Sequence, residues 1–354
     1  MSNGFRFGLE AEYLVMRRSD SKPLWHHDLK FRPLNEVLES IPLDGIATLD
    51  GLELEPPHTK PMPYVVEGYH VPHQDSSAAD MQPKGLEIRT PVCDSVRETL
   101  DTLKLLHGRL NEALKPVDAT LVALSHHPTE FEFHGPQNKR RHDFWLWAME
   151  VMTTFGPDIN VSVPPEMRSR IDPKDLEAKI DHYGPALSAL SVASPFLKGQ
   201  LWNYRGGFGH SYRMFKRSTV APTIEFHPHE DGRLEFKVFD MTDSLGEFEA
   251  QILCFLNLLL NPKLTGRARP QSRIYDLGNV ARFGLKAETV AERLTEFFTG
   301  ADEVLKDHGF DPAALEVYRR RARDQKTPAD EMISRFQKDQ DLGACLWSRN
   351  ELKA

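Results

Sequence analysis

The chain opens on an alternation. Phe7, Leu9, Ala11 and Tyr13 fall on one side of an extended backbone, and Arg6, Gly8, Glu10 and Glu12 on the other. That period of two predicts a strand with one apolar face over 5–15. The stretch 17–84, rich in proline, histidine and aspartate, predicts loops with short strands at 52–55 and 64–66. A strand follows at 86–89. Ser95 and Glu98 then form a capping box for a helix whose stripe is Val96, Leu100, Leu103, Leu106 and Leu110, stopped by Pro116. Further strands are predicted at 120–125, 130–133 and 159–163, and a helix at 144–152. Residues 176–193 are helical in period, with a break at Gly184-Pro185 and an end at Pro195. Strands at 223–227 and 233–239 make a hairpin through Glu230-Asp231-Gly232. Ser244 and Glu247 cap a buried helix to Asn261, and helices dominate from about 266 onward, at 286–298, 311–323 and 329–338. Hairpins and single-helix links in no strict βαβ order predict an α+β fold, a mostly antiparallel sheet with helices on one face. The sheet-based domain is expected over 1–265, with a helical part, 266–354, packed on it because no flexible linker intervenes.

Composition narrows the classes. A chain of 354 residues, 40% hydrophobic and 27% charged, can bury a sizeable core. Its net charge of −8 argues against a nucleic-acid partner, and the basic runs at 139–141 and 319–323 read as local solvated faces. The longest apolar run, 252–260, is interrupted by Asn257 and too short to span a membrane. Cys93, Cys254 and Cys345 are odd in number and widely spaced, which fits neither a disulfide framework nor a zinc ribbon. With no secretory pattern at the start, a reducing cytoplasm is the expected location.

Chemistry enters when the strands are compared. Glu10 and Glu12 share a face; so do Glu87 and Arg89, then Asp158, Asn160 and Ser162, then Glu235 and Lys237. Each strand opposes these with apolar residues. As neighbours in one sheet they would bring four or five carboxylates into one concavity, where mutual repulsion calls for hard cations such as magnesium. A half-solvated antiparallel sheet shows the same alternation, so the pattern by itself leaves both readings open.

At these residues the chain resembles the type 2 glutamate–cysteine ligases, or carboxylate–amine ligases, of the glutamine synthetase superfamily. Gly8-Leu-Glu-Ala-Glu-Tyr-Leu14 resembles the family's opening strand, and Leu86-Glu-Ile-Arg-Thr-Pro-Val92 its second acidic strand. Residues 189–199, Ser211-Tyr-Arg213, Leu234-Glu-Phe-Lys-Val-Phe-Asp240, 279–285 and Thr327-Pro-Ala-Asp330 follow in family order. The resemblance implies a glutamine synthetase/guanidino kinase-like catalytic domain with a concave acidic face. It also implies ATP and Mg2+, and a γ-glutamyl amide formed through an acyl phosphate from a glutamate-like acid and an amine. Glu10, Glu12, Glu87, Asp158 and Glu235 would hold metal. Arg213 and Lys237, with Asn160, would serve the nucleotide and the activated carboxylate, and Arg89 would hold the acidic substrate. This chain departs from the pattern twice: Asp158 stands where histidine is usual, and Lys237 where arginine is usual, which loses a two-pronged contact.

Other residues are weighed beside these. The 15 histidines include no HExxH, so a histidine-based zinc site is disfavoured, although His227 shares a strand face with Glu225. Glu67, Tyr69 and His70 could touch the amine, but an ordinary surface loop is the simpler reading. Cys254 reads as packing; Cys93, near a helix start, has no base beside it. The competing functions are a guanidine phosphotransferase, a nucleotide-independent metallohydrolase and a non-catalytic small-molecule-binding relative. Homo-oligomerisation stays open.

Overall fold

The computed structural model describes residues 4–73, 77–136 and 146–354; the basic run at 139–141 and the start of the helix expected at 144 lie outside them. Among the described residues the strands are β1 (Arg6–Arg17), β2 (Tyr64–Pro72), β3 (Ala78–Arg89), β4 (Ala119–Val122), β5 (Pro157–Ser162), β6 (Phe196–Leu197), β7 (Gln200–Leu201), β8 (Asn203–Tyr204), β9 (Gly207–Phe208), β10 (Ile224–His227) and β11 (Arg233–Phe236). The main sheet is curled and antiparallel, in the order β10-β11-β5-β1-β3-β2, with β4 on the far half of β1.

The helices are α1 (Phe31–Glu39), α2 (Val96–Leu114), α3 (Leu146–Val151), α4 (Pro165–Arg168), α5 (Pro173–Ser191), α6 (Tyr212–Arg217), α7 (Leu245–Leu260), α8 (Pro270–Phe283), α9 (Val290–Phe298), α10 (Ala301–Asp307), α11 (Glu316–Asp324), α12 (Pro328–Asp339) and α13 (Leu342–Trp347). One core joins the apolar sheet face to α2, α5 and α7: Leu9, Ile88, Ile159, Val161 and Phe236 meet Leu103, Leu106, Leu187 and Phe255. Phe236 and Phe255 stack at 4.5 Å between centroids. Burying each such side chain contributes about 1.5–3 kcal/mol, which makes the alternation of β1 an energetic instruction and not a mere pattern. On the opposite face, Glu10 and Glu12 give way to Leu14 and Met16, which pack with Met332, Phe336 and Leu346 of the C-terminal helices.

Several local expectations are corrected. Residues 52–55 and 130–133 form no strand, while the expected loop region holds α1, most of β2 and the first half of β3. Helix α5 runs unbroken through Pro185 and ends at Ser191; Gly184 has no Cβ for the proline ring to strike. Ser95 caps α2 as expected, but the Glu98 carboxylate accepts from the backbone N–H of Asp94 and not of Ser95. The Ser244 side chain makes no cap bond to α7. The basic run on α11 is a paired surface: Arg319, Arg321 and Arg323 meet Asp302, Glu247 and Glu316. All three cysteines are buried, and burial pushes the Cys93 thiol up.

His107, His126 and His127 are buried in the folded chain. Burial pushes His107 down from 6.5 to about 4 and His127 to about 3, and holds His126 well below 6.5. Between the unfolded value of 6.5 and the folded values, the unfolded chain binds more protons, so stability is complete above that window and falls as pH drops through it. Each histidine contributes about 1.4 kcal/mol per pH unit there. Urea midpoints are expected to fall steeply below pH 6.5, less so in His107→Gln. Midpoints that stay level down to pH 4.5 would contradict this.

Candidate functional site

Register turns the separate strand faces into rows. Paired residues of an antiparallel sheet share a side. The first row across the acidic face is Arg6, Ser162, Arg233 and His227; the second is Gly8, Asn160, Glu235 and Glu225. The third joins Asp158, Glu10 and Arg89, and the fourth brings Glu12 beside Glu87. The expected convergence is therefore present, on four adjacent strands.

The rows are not equivalent. Oxygens of Glu10, Asp158 and Glu235 lie within 4.8 Å of one another. Glu10 accepts a hydrogen bond from Asn160 Nδ2 at 3.1 Å, and among the described residues it has no ion pair. Burial, reinforced by the charge of Glu87, holds its carboxyl well above the usual range. Lys237 lies 2.5 Å from Glu235, 3.2 Å from Glu225 and 3.4 Å from Asp158. Burial opposes its charge, yet Asp158 and Glu235 outweigh that and raise its pKa.

Glu12 and Glu87 stand outside that group. Glu12 accepts from Lys84 Nζ at 2.7 Å and from the backbone N–H of Gly156 at 2.9 Å. Lys84, 4% exposed, also lies 3.7 Å from Glu67 and donates to the Thr154 carbonyl. Residues 64–70 are thus part of sheet strand β2 and not a surface loop, and Glu67 belongs to a buried ion network. Arg89 holds Glu87 through Nε and Nη2, and its Nη2 also reaches Glu55 at 2.8 Å. Arg213 is buried, with Nη1 3.7 Å from Asp240. Burial pushes its guanidinium down to about 10. It packs against Gly156 so closely that a Cβ there would sit 2.2 Å from Nη2. Only glycine allows that approach.

Above the first three rows lies a cleft of about 280 Å³. Its floor includes Gly8, Glu10, Asn160 and Glu235, its wall Arg89, and residues 51–55 close over it. Arg213 and Lys237 line a separate, much smaller cavity. Sequence reading missed Lys84, Glu55 and Arg233 as members of the site. Arg233 bridges Asn160 Oδ1 at 2.7 Å and Glu235 Oε2 at 3.0 Å. Its place two residues before Glu235 was the available signal. Glu55 had none, because only tertiary structure brings its loop to Arg89.

A model of glutamate–cysteine ligase family 2 matches residues 6–215, which takes in β1, β3, β5 and Arg213. The chain belongs to this family. A Rubrobacter xylanophilus protein provisionally named glutamate–cysteine ligase 2-1 is 25% identical over 189 residues, 51% of this chain and 46% of that protein. Two solved folds extend the likeness beyond the matched residues. A bifunctional glutathione synthetase from Pasteurella multocida superposes with TM-score 0.64 at 15% identity, over 98% of this chain and 52% of its own. A glutamate–cysteine ligase from Francisella tularensis, in complex with AMP, gives 0.63 at 13% identity, over 98% and 87%. The chain spans about half the length of the first relative and of the synthetase. Among the described residues, no helix is long and apolar enough to cross a membrane.

Proposed function

We propose that this family member is an ATP-dependent carboxylate–amine ligase that forms an amide, γ-glutamyl in type, through an acyl phosphate. The observation that carries the reading is the meeting of Glu10, Asp158 and Glu235 beside Lys237 and Arg89, with Glu10 and Glu235 on the cleft floor. Family membership and the AMP complex of the Francisella protein support it. The glutamine synthetase-like assignment of the sheet belongs to the same proposal, supported by its curled antiparallel form.

Mg2+ fits the donor set, which is all oxygen and includes Glu10, a half-buried carboxylate without an ion pair among the described residues. Glu10, Asp158 and Glu235 would hold it, and when bound it would neutralise phosphate charge. Glu12 and Glu87 are further candidates only if Lys84 and Arg89 yield. In the reaction, a substrate carboxylate oxygen attacks the γ-phosphorus and ADP leaves; the amine nitrogen then attacks the acyl carbon, phosphate leaves and the amine gives up a proton. Lys237, with three carboxylate neighbours, remains charged and can face phosphate oxygens. Arg89 binds an acidic substrate once Glu55 withdraws. Burial of Arg213 supports a role in fixing the Gly156–Asp158 segment.

Incubation with Mg-ATP, glutamate and a panel of amines should release ADP and phosphate with a new amide, read by mass spectrometry. ADP with a phosphorylated guanidine would replace the ligase with a phosphotransferase. A non-catalytic binding role is the second reading, favoured by the saturation of Glu235 with Lys237, Arg233 and His227; substrate binding without turnover would establish it.

A further inference from the structure

We propose that the β10–β11 hairpin builds a second cation site from Glu225, His227 and Glu235, one that takes a divalent transition-metal ion such as Mn2+ or Zn2+ and shares Glu235 with the Glu10–Asp158–Glu235 group. The inference rests on reading the Glu10–Asp158–Glu235 group as a cation site, and it adds Glu225 and His227, which lie outside that group.

Ligand atoms of Glu225, His227 and Glu235 lie within 4.8 Å of one another. His227 Nε2 is 3.0 Å from Glu235 Oε2. Two ligands bound at about 2.1 Å and at right angles stand about 3.0 Å apart, so this pair already has the spacing of adjacent vertices. Glu225 Oε2 lies 3.9 Å from the same nitrogen, and its side chain, 39% exposed, has room to turn inward. On the other side of the ring, Glu230 Oε1 lies 3.5 Å from Nδ1. With an ion in place of the proton between Nε2 and Glu235, a carboxylate beside Nδ1 is the usual outer partner of a metal-bound histidine.

Two cations compete for Glu235. Arg233 Nη1 reaches Oε2 at 3.0 Å, and Lys237 reaches Oε1 at 2.5 Å. Arg233 can give up Glu235 without losing its place, because Asn160 and Glu230 hold it independently. Lys237 contacts the other oxygen and leaves Oε2 to the hairpin. An imidazole shifts a site away from magnesium and towards manganese or zinc.

The test uses the full chain, stripped with chelator and titrated with Mn2+. Pulsed electron paramagnetic resonance should show nitrogen coupled to bound Mn2+. His227→Gln should lose that coupling and bind the hairpin ion at least about tenfold more weakly, as a lost ligand requires. Glu225→Gln should also weaken it, whereas Glu10→Gln should keep the coupling. Circular dichroism confirms folding of each variant; His227 is 23% exposed on an edge strand, so the change is tolerable. Bound Mn2+ without nitrogen coupling, an unchanged affinity in His227→Gln, or no Mn2+ uptake would overturn the site. Amide formation decides the ligase reading separately, so either can fail alone.

Discussion

Glu10→Gln should fold as the parent does and lose amide formation by at least about 100-fold, the scale of removing one electrostatic stabiliser from an active site. The fold should persist because glutamine keeps the shape and an oxygen to accept the 3.1 Å bond from Asn160 Nδ2. Activity should go because the half-buried oxygen pair without an ion-pair partner among the described residues disappears. Glutamine also removes a carboxyl that burial and Glu87 hold well above its usual range. The cation-free variant should therefore melt no lower than the parent near neutral pH, since a partly desolvated carboxylate without an ion pair is costly. Thermal melting and ADP release check both halves. Turnover within tenfold of the parent would remove Glu10 from the site.

Lys84→Met is the largest stability change expected. Lys84 is the ion-pair partner of Glu12 and Glu67 and donates to the Thr154 carbonyl in a buried setting. Taking one partner from a buried ion pair costs about 3–5 kcal/mol, because the remaining charge stays desolvated. Here the remainder is two carboxylates, and burial already holds Glu67 well above its usual range. The double variant Lys84→Met/Glu67→Gln should recover part of the loss. Urea unfolding measures both, and a single-variant loss under about 1 kcal/mol would show that Lys84 does not hold this corner together.

The contrast between these two residues shows what the sequence can disclose. Glu10 announces itself through strict alternation on β1, and Glu87, Asp158 and Glu235 do so on β3, β5 and β11. Lys84 sits beside Pro83 and Gly85, residues that signal a turn, and β2 shifts register against β3 between Glu67 and Gly68. A bulge breaks the two-residue period on which strand reading depends. Pro33 inside α1 hides that helix in the same way. The order of strands was not legible at all, because it is set by long-range pairing. Without it, Glu10, Asp158 and Glu235 could be placed on like faces but not within reach of one another. Glu55 depends on a loop whose path is fixed elsewhere, by Arg109 on the Pro42 and Asp44 carbonyls and by His58 on Glu55 and Val66.

β1 pairs with three other strands, β3, β4 and β5, within 12 residues. Slipping it by one residue would exchange Glu10 and Glu12 for Leu9 and Ala11 in the core. Core and chemistry are consequently written on opposite sides of the same ribbon, and neither can be moved without the other. A lineage that keeps this sheet can change its reaction only by replacing side chains in place or by importing a group from a neighbouring strand. New specificity then comes from the hairpin and the loops over the cleft, while the central strand stays frozen by its own buried face.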